Sequence, residues 1–413
     1  MSSLPDSDAS HLIESVVEKY SDDLIDLRRD LHAHPEQSWH ERRTTDVVAS
    51  RLEELGLRVT RLPASAAQGT RSGTGLIAEL GDEGPIVALR ADLDALAVED
   101  ATSLPWTSRT PGVAHACGHD VHTAGLVGAA TALAEVHGRG LLPGRVRFLF
   151  QPAEEIMPGG ALHMIAHGAL EGVARIYMLH CDPTLDVGTV GVRNGALTGA
   201  ADAIEVRLTG RGGHTSRPHL TEDLTFALGK LITELPAVLS RRLDPRAGVS
   251  VVWGHVSAGV APNVIPGTGR AAGTVRMLDP VAWAEAEVLI RTVIGQLMAP
   301  YGVAAEIDYR RGVPPVVNEP DSARLLGQAV ERALGHDAVV STAQSLGGED
   351  FAWYGEQVRG AMGRLGTRTP GGPTFDLHQG NLVVDEAATP MASRVLAEAA
   401  LGTVLSLVEA SAP

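Results

Sequence analysis

The chain has 413 residues, 44% of them hydrophobic and 20% charged, with a formal net charge of −16. That length exceeds one ordinary hydrophobic core and predicts two domains. The acidic balance argues against a nucleic acid or an anionic membrane surface as partner, so a negatively charged substrate needs locally placed Arg or His. Two cysteines, Cys117 and Cys181, make no disulfide framework and suit a reducing, cytoplasmic location. The opening MSSLPDSDAS has no basic or apolar stretch of the signal-peptide kind, and no run of about 18 apolar residues predicts a membrane span.

Leu12, Val16, Tyr20, Leu24, Leu27 and Leu31 recur at helical spacing and predict an amphipathic helix ending near Pro35. A second helix is expected over residues 41–55, closed by Gly56. Residues 74–80 and 85–90 read as a hairpin around a Gly-Asp-Glu-Gly turn. The second strand runs straight into Asp92 and Asp94. Then comes the densest stretch of the chain, His115-Ala-Cys-Gly-His-Asp-Val-His122, followed by an apolar helical run over 123–133. A strand over 145–150 leads into Gln151-Pro-Ala-Glu-Glu155, a helix over 160–167 follows, and a strand over 174–179 leads into His180.

Strands alternating with helices imply an α/β domain whose mostly parallel sheet is covered by helices on both faces. Sites in such sheets form outside the carboxyl ends of the strands. Asp92, Asp94, Glu154, Glu155 and His180 are therefore expected to converge at one edge, together with the cysteine–histidine loop. The middle of the chain reads β-α-β-β-α-β, the ferredoxin-like α+β order, as an insertion. The expected division is a catalytic domain over 1–198, an inserted domain over 199–310 and a return to the catalytic domain over 311–413. The return carries helices over 321–334 and 385–407.

Cys117 and His119 flank one glycine, a spacing that lets two soft ligands of a loop face one ion. His115 and His122 are weaker candidates, and His122, in the first helical turn, also suits a supporting or capping role. Glu154 and Glu155 are consecutive, so their side chains diverge: one can bind metal while the other acts on a water. A solvated acidic turn is the bland alternative. His180 at a strand end is a further ligand candidate, whereas Cys181 reads as a small buried hydrophobe. Asp92 and Asp94 alternate and can orient a ligand from behind. In the insertion, Gly210-Arg-Gly-Gly-His214, Asn263 between two prolines, and Arg276 on a strand can grip a carboxylate and an oxyanion, or can be ordinary turn chemistry. His378 lies in a Gly- and Pro-rich loop and, taken alone, is a loop histidine.

Together these motifs resemble the dinuclear metallohydrolases that include aminoacylase-1 and carboxypeptidase G. The resemblance is to their amidohydrolase branch, with hippurate hydrolases, bacterial N-acyl-amino-acid amidohydrolases and plant auxin-conjugate hydrolases. It rests on RRDLHAHPE (28–36), LRADLDAL (89–96), ACGHDVHTAGLVGAA (116–130), FQPAEE (150–155), GRGGHTSRPH (210–219), PNVIP (262–266), GTVR (273–276) and GGEDF (347–351), which span most of the chain in order.

The resemblance implies a catalytic α/β domain with an inserted ferredoxin-like lid that often dimerises, hence a homodimer. It implies two divalent metal ions, held by Cys117, His119, Glu155, His180 and His378. Glu154 would be the general base, Asp94 the aspartate behind the ligands, and His214 the group that polarises the scissile carbonyl. Asn263 and Arg276 would hold the carboxylate of the amino-acid half. Asp92 stands where other branches carry a metal-binding histidine, so no ligand role is implied for it. The chain departs from the pattern at Gln37, at Ala97 and after His378, where Gln-Gly-Asn stands.

The implied reaction is hydrolysis of an N-acyl or N-aroyl amino acid to a carboxylic acid and a free amino acid. Mixed Cys, His and Glu ligands suit Zn²⁺, with Mn²⁺, Co²⁺ and Ni²⁺ as alternatives. Two other readings compete: a metal-free amidase using Cys117 with His119 or His180, and a non-catalytic metal- or ligand-binding protein on the same scaffold.

Overall fold

The computed structural model of the chain describes residues 4–64 and 73–411. It divides into two compact units. The first comprises Met1–Gly195, Val317–Ala343 and Trp353–Pro413. The second comprises Ala196–Val316 and Gln344–Ala352.

The chain opens with α1 (Leu4–Ala33) and α2 (Arg42–Glu54). α1 buries Ile13, Val17, Leu24, Leu27 and Leu31 along one stripe, as the helical period dictates. Next come β1 (Arg58–Arg61), β2 (Leu76–Leu80), β3 (Ile86–Asp92), α3 (His119–Gly138), β4 (Arg145–Gln151), α4 (Ala161–Ala166), β5 (Val173–Asp186), β6 (Val190–Gly191) and β7 (Gly195–Ala196). The second unit contributes β8 (Ala200–Thr209), β9 (Gly213–His214), α5 (Leu224–Arg242), β10 (Ser250–Ala258), β11 (Val264–Ile265), β12 (Thr268–Met277), α6 (Pro280–Met298) and β13 (Ala304–Val313). After β14 (Val317–Asn318) come α7 (Pro320–Leu334), β15 (Val339–Val340), α8 (Ala352–Gly355), β16 (Arg359–Arg368) and α9 (Ala388–Ser411).

An eight-stranded sheet in the order β1-β2-β4-β3-β5-β16-β6-β15 forms the first unit. β4, β3, β5 and β16 run parallel, and β1 and β2 are antiparallel at one edge. β3 is buried along its whole length, the pattern of a strand covered on both faces. The α/β class read from the sequence is the class found.

One local expectation fails. β2 and β3 are not a hairpin, because β4 lies between them, antiparallel to β2 and parallel to β3. The connection must cross two interstrand gaps, about 10 Å, which four extended residues can do. It passes the start of β4, where the Pro85 carbonyl accepts the Arg145 N–H at 2.9 Å. A turn rich in Gly looks the same whether it reverses a chain or steps over a neighbour.

α3 is apolar on nearly every face and packs against α1 and α9. Gly128 allows the approach: a Cβ there would lie 2.1 Å from Ser393 Oγ and 2.7 Å from Leu24 Cδ1. α9 qualifies the expectation about membrane-like segments. With a mean hydropathy of 1.5 it is long and apolar enough to cross a membrane, yet 61% of that stretch is buried in the protein. Its neighbours are α3, α7 and α1, so core packing accounts for its composition.

The second unit has an antiparallel sheet, β10-β12-β8-β13, with α5 and α6 packed on it, the ferredoxin-like arrangement. Buried Asp202 on β8 ties its parts together, accepting from Trp283 Nε1 at 3.0 Å, Tyr309 Oη at 2.6 Å and the Gly312 N–H at 2.9 Å.

Candidate metal centre

β3 and β5 stay paired only as far as Arg90 and Met178, after which β5 continues to Asp186 alongside β16. His180 therefore does not end its strand, as the sequence suggested. It stands just past the last β3–β5 pair, level with Asp92 at the end of β3. The loop before α3 comes down at the same place. Gly118 caps α3 with φ 83°, and a Cβ on it would lie 2.7 Å from Cys181 Sγ, so the position needs glycine for both backbone and space.

The candidate ligands meet here. Cys117 Sγ lies 3.6 Å from His180 Nε2. His119 Nε2 is 3.7 Å from Glu155 Oε1 and 3.9 Å from Glu154 Oε2. His378 Nε2 is 3.5 Å from Glu155 Oε2, and its backbone N–H donates to the Ala116 carbonyl at 2.7 Å. Ligand atoms lie within 4.8 Å of one another in each of three sets: Cys117, His119 and His180; Cys117, Glu155 and His378; and His119, Glu154 and Glu155.

Hydrogen bonding sorts the histidines. His119 Nδ1 lies 2.9 Å from the Asp94 carbonyl and His180 Nδ1 lies 2.8 Å from the Cys181 carbonyl. A carbonyl only accepts, so both rings carry a proton on Nδ1 and turn Nε2 into the cluster. Burial opposes charge on His119, but Asp92 and Asp94 raise its pKa well above the ordinary value, so a cation bound there takes the place of its Nε2 proton. His119 Nε2 and Glu155 Oε1 are buried there without a hydrogen-bond partner. Burying such atoms unmatched is costly, and divalent cations satisfy N, S and O donors of this kind. The residues present thus fit a metal site.

His122 is different. Its Nδ1 is 2.6 Å from Asp92 Oδ1 and its Nε2 accepts the Cys181 N–H at 2.9 Å. Both nitrogens are spent, so the ring supports the site without a lone pair to offer. The other Asp92 oxygen takes Arg90 Nη1 at 2.7 Å. His115 is buried, and burial brings its pKa down to about 4, which keeps it neutral.

Electrostatics follow the same division. Burial and then Glu155 push the Cys117 thiol well up. Burial, His122 and Arg364 hold His180 well below its ordinary value, so it is neutral. Burial also opposes charge on Asp94, but His119 and Ser38 outweigh it and keep the carboxylate ionised.

Asp94 organises the turn after β4. Its Oδ1 accepts the Glu154 N–H at 3.1 Å, and its Oδ2 accepts the Glu155 N–H at 3.0 Å and the Ser38 hydroxyl at 2.7 Å. Sequence reasoning placed Asp94 behind the ligands but missed Ser38, Arg90 and the backbone acceptors. The signal for Ser38 was its place just after the HAHPE stretch.

In the second unit, His214 on β9 pairs with Val264 of β11, and the Thr215 N–H donates to the Asn263 carbonyl at 3.3 Å. Exposed His214 accepts the Ser216 N–H on Nδ1 at 3.1 Å. Its ring proton therefore sits on Nε2, which is left as a donor. Arg276 lies on the central strand β12, opposite Ala201 of β8.

Comparison with known proteins places this architecture. A Rhodococcus jostii protein named as a glutamate–cysteine ligase is 50% identical over 366 residues, covering 88% of this chain but 45% of the relative. The chain thus spans about half the length of that protein. An N-acetylcysteine deacetylase of Bacillus subtilis is 38% identical over 380 residues, 92% of this chain and 96% of the relative. The crystal structure of a dinuclear metal-binding peptidase from Bacillus subtilis superposes with a TM-score of 0.80 at 36% identity, covering 95% of this chain and 99% of that one. Residues 88–402 match the description of Peptidase family M20/M25/M40, and the chain belongs to that family.

Proposed function

We propose that the chain hydrolyses the amide bond of N-acyl amino acids, releasing a carboxylic acid and a free amino acid. The observation that carries this reading is the cluster itself: Cys117, His119, Glu155, His180 and His378 turn donor atoms toward one another, with Glu154 beside them. These five residues are assigned as ligands of two divalent ions, Zn²⁺ by preference for mixed N, S and O donors, with Mn²⁺, Co²⁺ and Ni²⁺ as alternatives. Bound there, the ions supply an acidified water, with its pKa brought toward about 7, and a Lewis acid for the carbonyl.

Glu154 takes the proton from the attacking water and passes it to the leaving amine. Asp94 keeps Glu154 and Glu155 aimed by holding both backbone N–H groups. His119 and His180 are held in the tautomer a ligand needs by their backbone acceptors. Of the second unit, His214 is assigned as Nε2–H donor to the developing oxyanion, and Asn263 and Arg276 as holders of the substrate carboxylate. Homodimerisation through that unit and a cytoplasmic location belong to the same proposal, the latter supported by two free buried cysteines.

The 3.6 Å contact of Cys117 with His180 also suits a thiol amidase. Burial and then Glu155 hold that thiol protonated, the opposite of what a nucleophile needs. The deciding experiment assays N-acetyl, N-benzoyl and other N-acyl amino acids with and without chelator, alongside elemental analysis. Turnover abolished by chelation and restored by metal is expected. Turnover that survives chelation but not thiol alkylation would reject the metal reading. Glu154→Gln is expected to keep its metal and lose about 10²- to 10⁴-fold in kcat. Full activity removes Glu154 from the base role, and metal with no turnover of any substrate in the wild type supports a binding protein.

A further inference from the structure

Two residues beside the cluster occupy the left-handed region although neither is glycine: Trp39 at φ 66° and Ala153 at φ 53°. Residues with a Cβ avoid that region unless something holds them. Ala153 immediately precedes Glu154 and Glu155, so its conformation sets the direction in which both side chains leave β4. One side chain holds both residues. Glu41 Oε1 accepts the Trp39 N–H at 2.9 Å and the Ala153 N–H at 2.8 Å. Glu41 is fully buried at the start of α2 and 112 positions from Ala153 in sequence. The same segment sends Ser38 to Asp94 at 2.7 Å. Three consecutive N–H groups, those of Ala153, Glu154 and Glu155, are thus bound by two carboxyl groups, and neither is in the proposed ligand set.

We infer that Glu41 is a positioning residue for the hydrolysis: it fixes the left-handed turn at Ala153 and thereby aims Glu154 and Glu155. The inference rests on the reading of Glu154 as base and Glu155 as ligand. Glu41 acts through the backbone and touches no reacting atom. Burial and then Asp94 push its pKa up to about 8, so glutamine, whose Oε1 keeps both N–H bonds, is a close stand-in near neutral pH. Methionine keeps the volume but removes the acceptor, and aspartate withdraws it by one methylene.

The test compares the full chain with Glu41→Gln, Glu41→Met and Glu41→Asp on N-acetyl-L-cysteine and N-benzoylglycine. Amide hydrogen exchange of a peptide covering 151–157 is followed in the metal-free proteins. The methionine variant is expected to lose about 10- to 100-fold in kcat with KM within threefold. Exchange in the turn should quicken at least tenfold, and the glutamine variant should recover at least tenfold in kcat over the methionine variant. A folded methionine variant with kcat within threefold of wild type and unchanged exchange overturns the inference, as does a glutamine variant no better than it. If the methionine variant does not fold, the aspartate variant is read by the same criteria. A wild type inactive on every N-acyl amino acid rejects the functional reading instead, and exchange still decides whether Glu41 holds the turn.

Discussion

Asp94→Asn is the sharpest probe of how the site is held. The carboxylate gives each oxygen to one backbone donor, Oδ1 to the Glu154 N–H at 3.1 Å and Oδ2 to the Glu155 N–H at 3.0 Å, with Ser38 also on Oδ2 at 2.7 Å. Asparagine has one acceptor. Whichever way its amide turns, an NH₂ faces a buried N–H, so one glutamate loses its hold. A bond to a charged acceptor is worth about 1.5–3 kcal/mol, and a stranded buried donor costs about 1–3 kcal/mol. These overlap, and a combined loss of about 2–4 kcal/mol is expected. Because the strain falls on the two glutamates, part should appear in chemistry, as a drop of about 10- to 100-fold in kcat/KM. The assay is equilibrium unfolding together with kcat/KM on an N-acyl amino acid at saturating metal. Ser38→Ala, which removes one donor and strands none of the glutamate N–H groups, is the milder control, at about 1 kcal/mol. A loss under about 0.5 kcal/mol with kcat/KM within threefold of wild type would refute the argument, because surface changes of no consequence do as little.

Two further outcomes follow from the hydrogen-bond pattern. His122→Ala strands Asp92 Oδ1 and the Cys181 N–H and should cost about 2–5 kcal/mol in unfolding free energy. Its metal stoichiometry should equal that of wild type, whereas His119→Ala should bind less; a His122 variant that loses metal makes that ring a ligand after all. Glu319 caps α7, accepting the Ser322 N–H at 2.8 Å and Arg175 Nη1 at 2.5 Å. Burial alone would raise its pKa, but Ser322 and Arg175 outweigh this and hold it at about 2. A depressed carboxylate stabilises the fold above its ordinary range and loses that contribution as pH falls toward the folded value. Glu319→Gln should therefore be less stable than wild type by about 1 kcal/mol at neutral pH. The gap should close between about pH 4 and pH 2 in acid titrations, and a gap that is independent of pH speaks against the ion pair.

How far the sequence could be read depended on the range of the interactions. The α/β class, the parallel strands and the residues delivered at their ends follow from short apolar runs and from what stands next to them. Strand neighbours do not: nothing local to residues 81–84 tells a hairpin turn from a loop stepping over β4, because the deciding partner begins at Arg145. His180 was found for a reason that proved incomplete, since β5 continues to Asp186 and His180 stands where its pairing with β3 stops, not where its own strand ends. Ser38 and Glu41 were invisible in their roles, although the adjacent HAHPE stretch was noticed, because their partners lie at Asp94 and Ala153.

The histidines carry the same lesson to the level of single atoms. His119 and His122 stand three positions apart, both buried, in a stretch where spacing alone makes either one a ligand. What separates them is the atom facing each ring. A backbone carbonyl on Nδ1 leaves His119 with Nε2 open to the cluster, whereas Asp92 on Nδ1 and the Cys181 N–H on Nε2 leave His122 with nothing to give. Residue type supplies the capacity to bind metal, but the partners supplied by the end of β3, the Asp94 turn after it and β5 decide which ring keeps Nε2 open to the cluster. The Cys117 thiol obeys the same logic in reverse. Burial first, and then Glu155, hold it as the neutral thiol. A cation bound beside Glu155 is the simplest change that turns it into a thiolate, so the carboxylate that adds to burial in disqualifying Cys117 as a nucleophile also suits it to be a ligand.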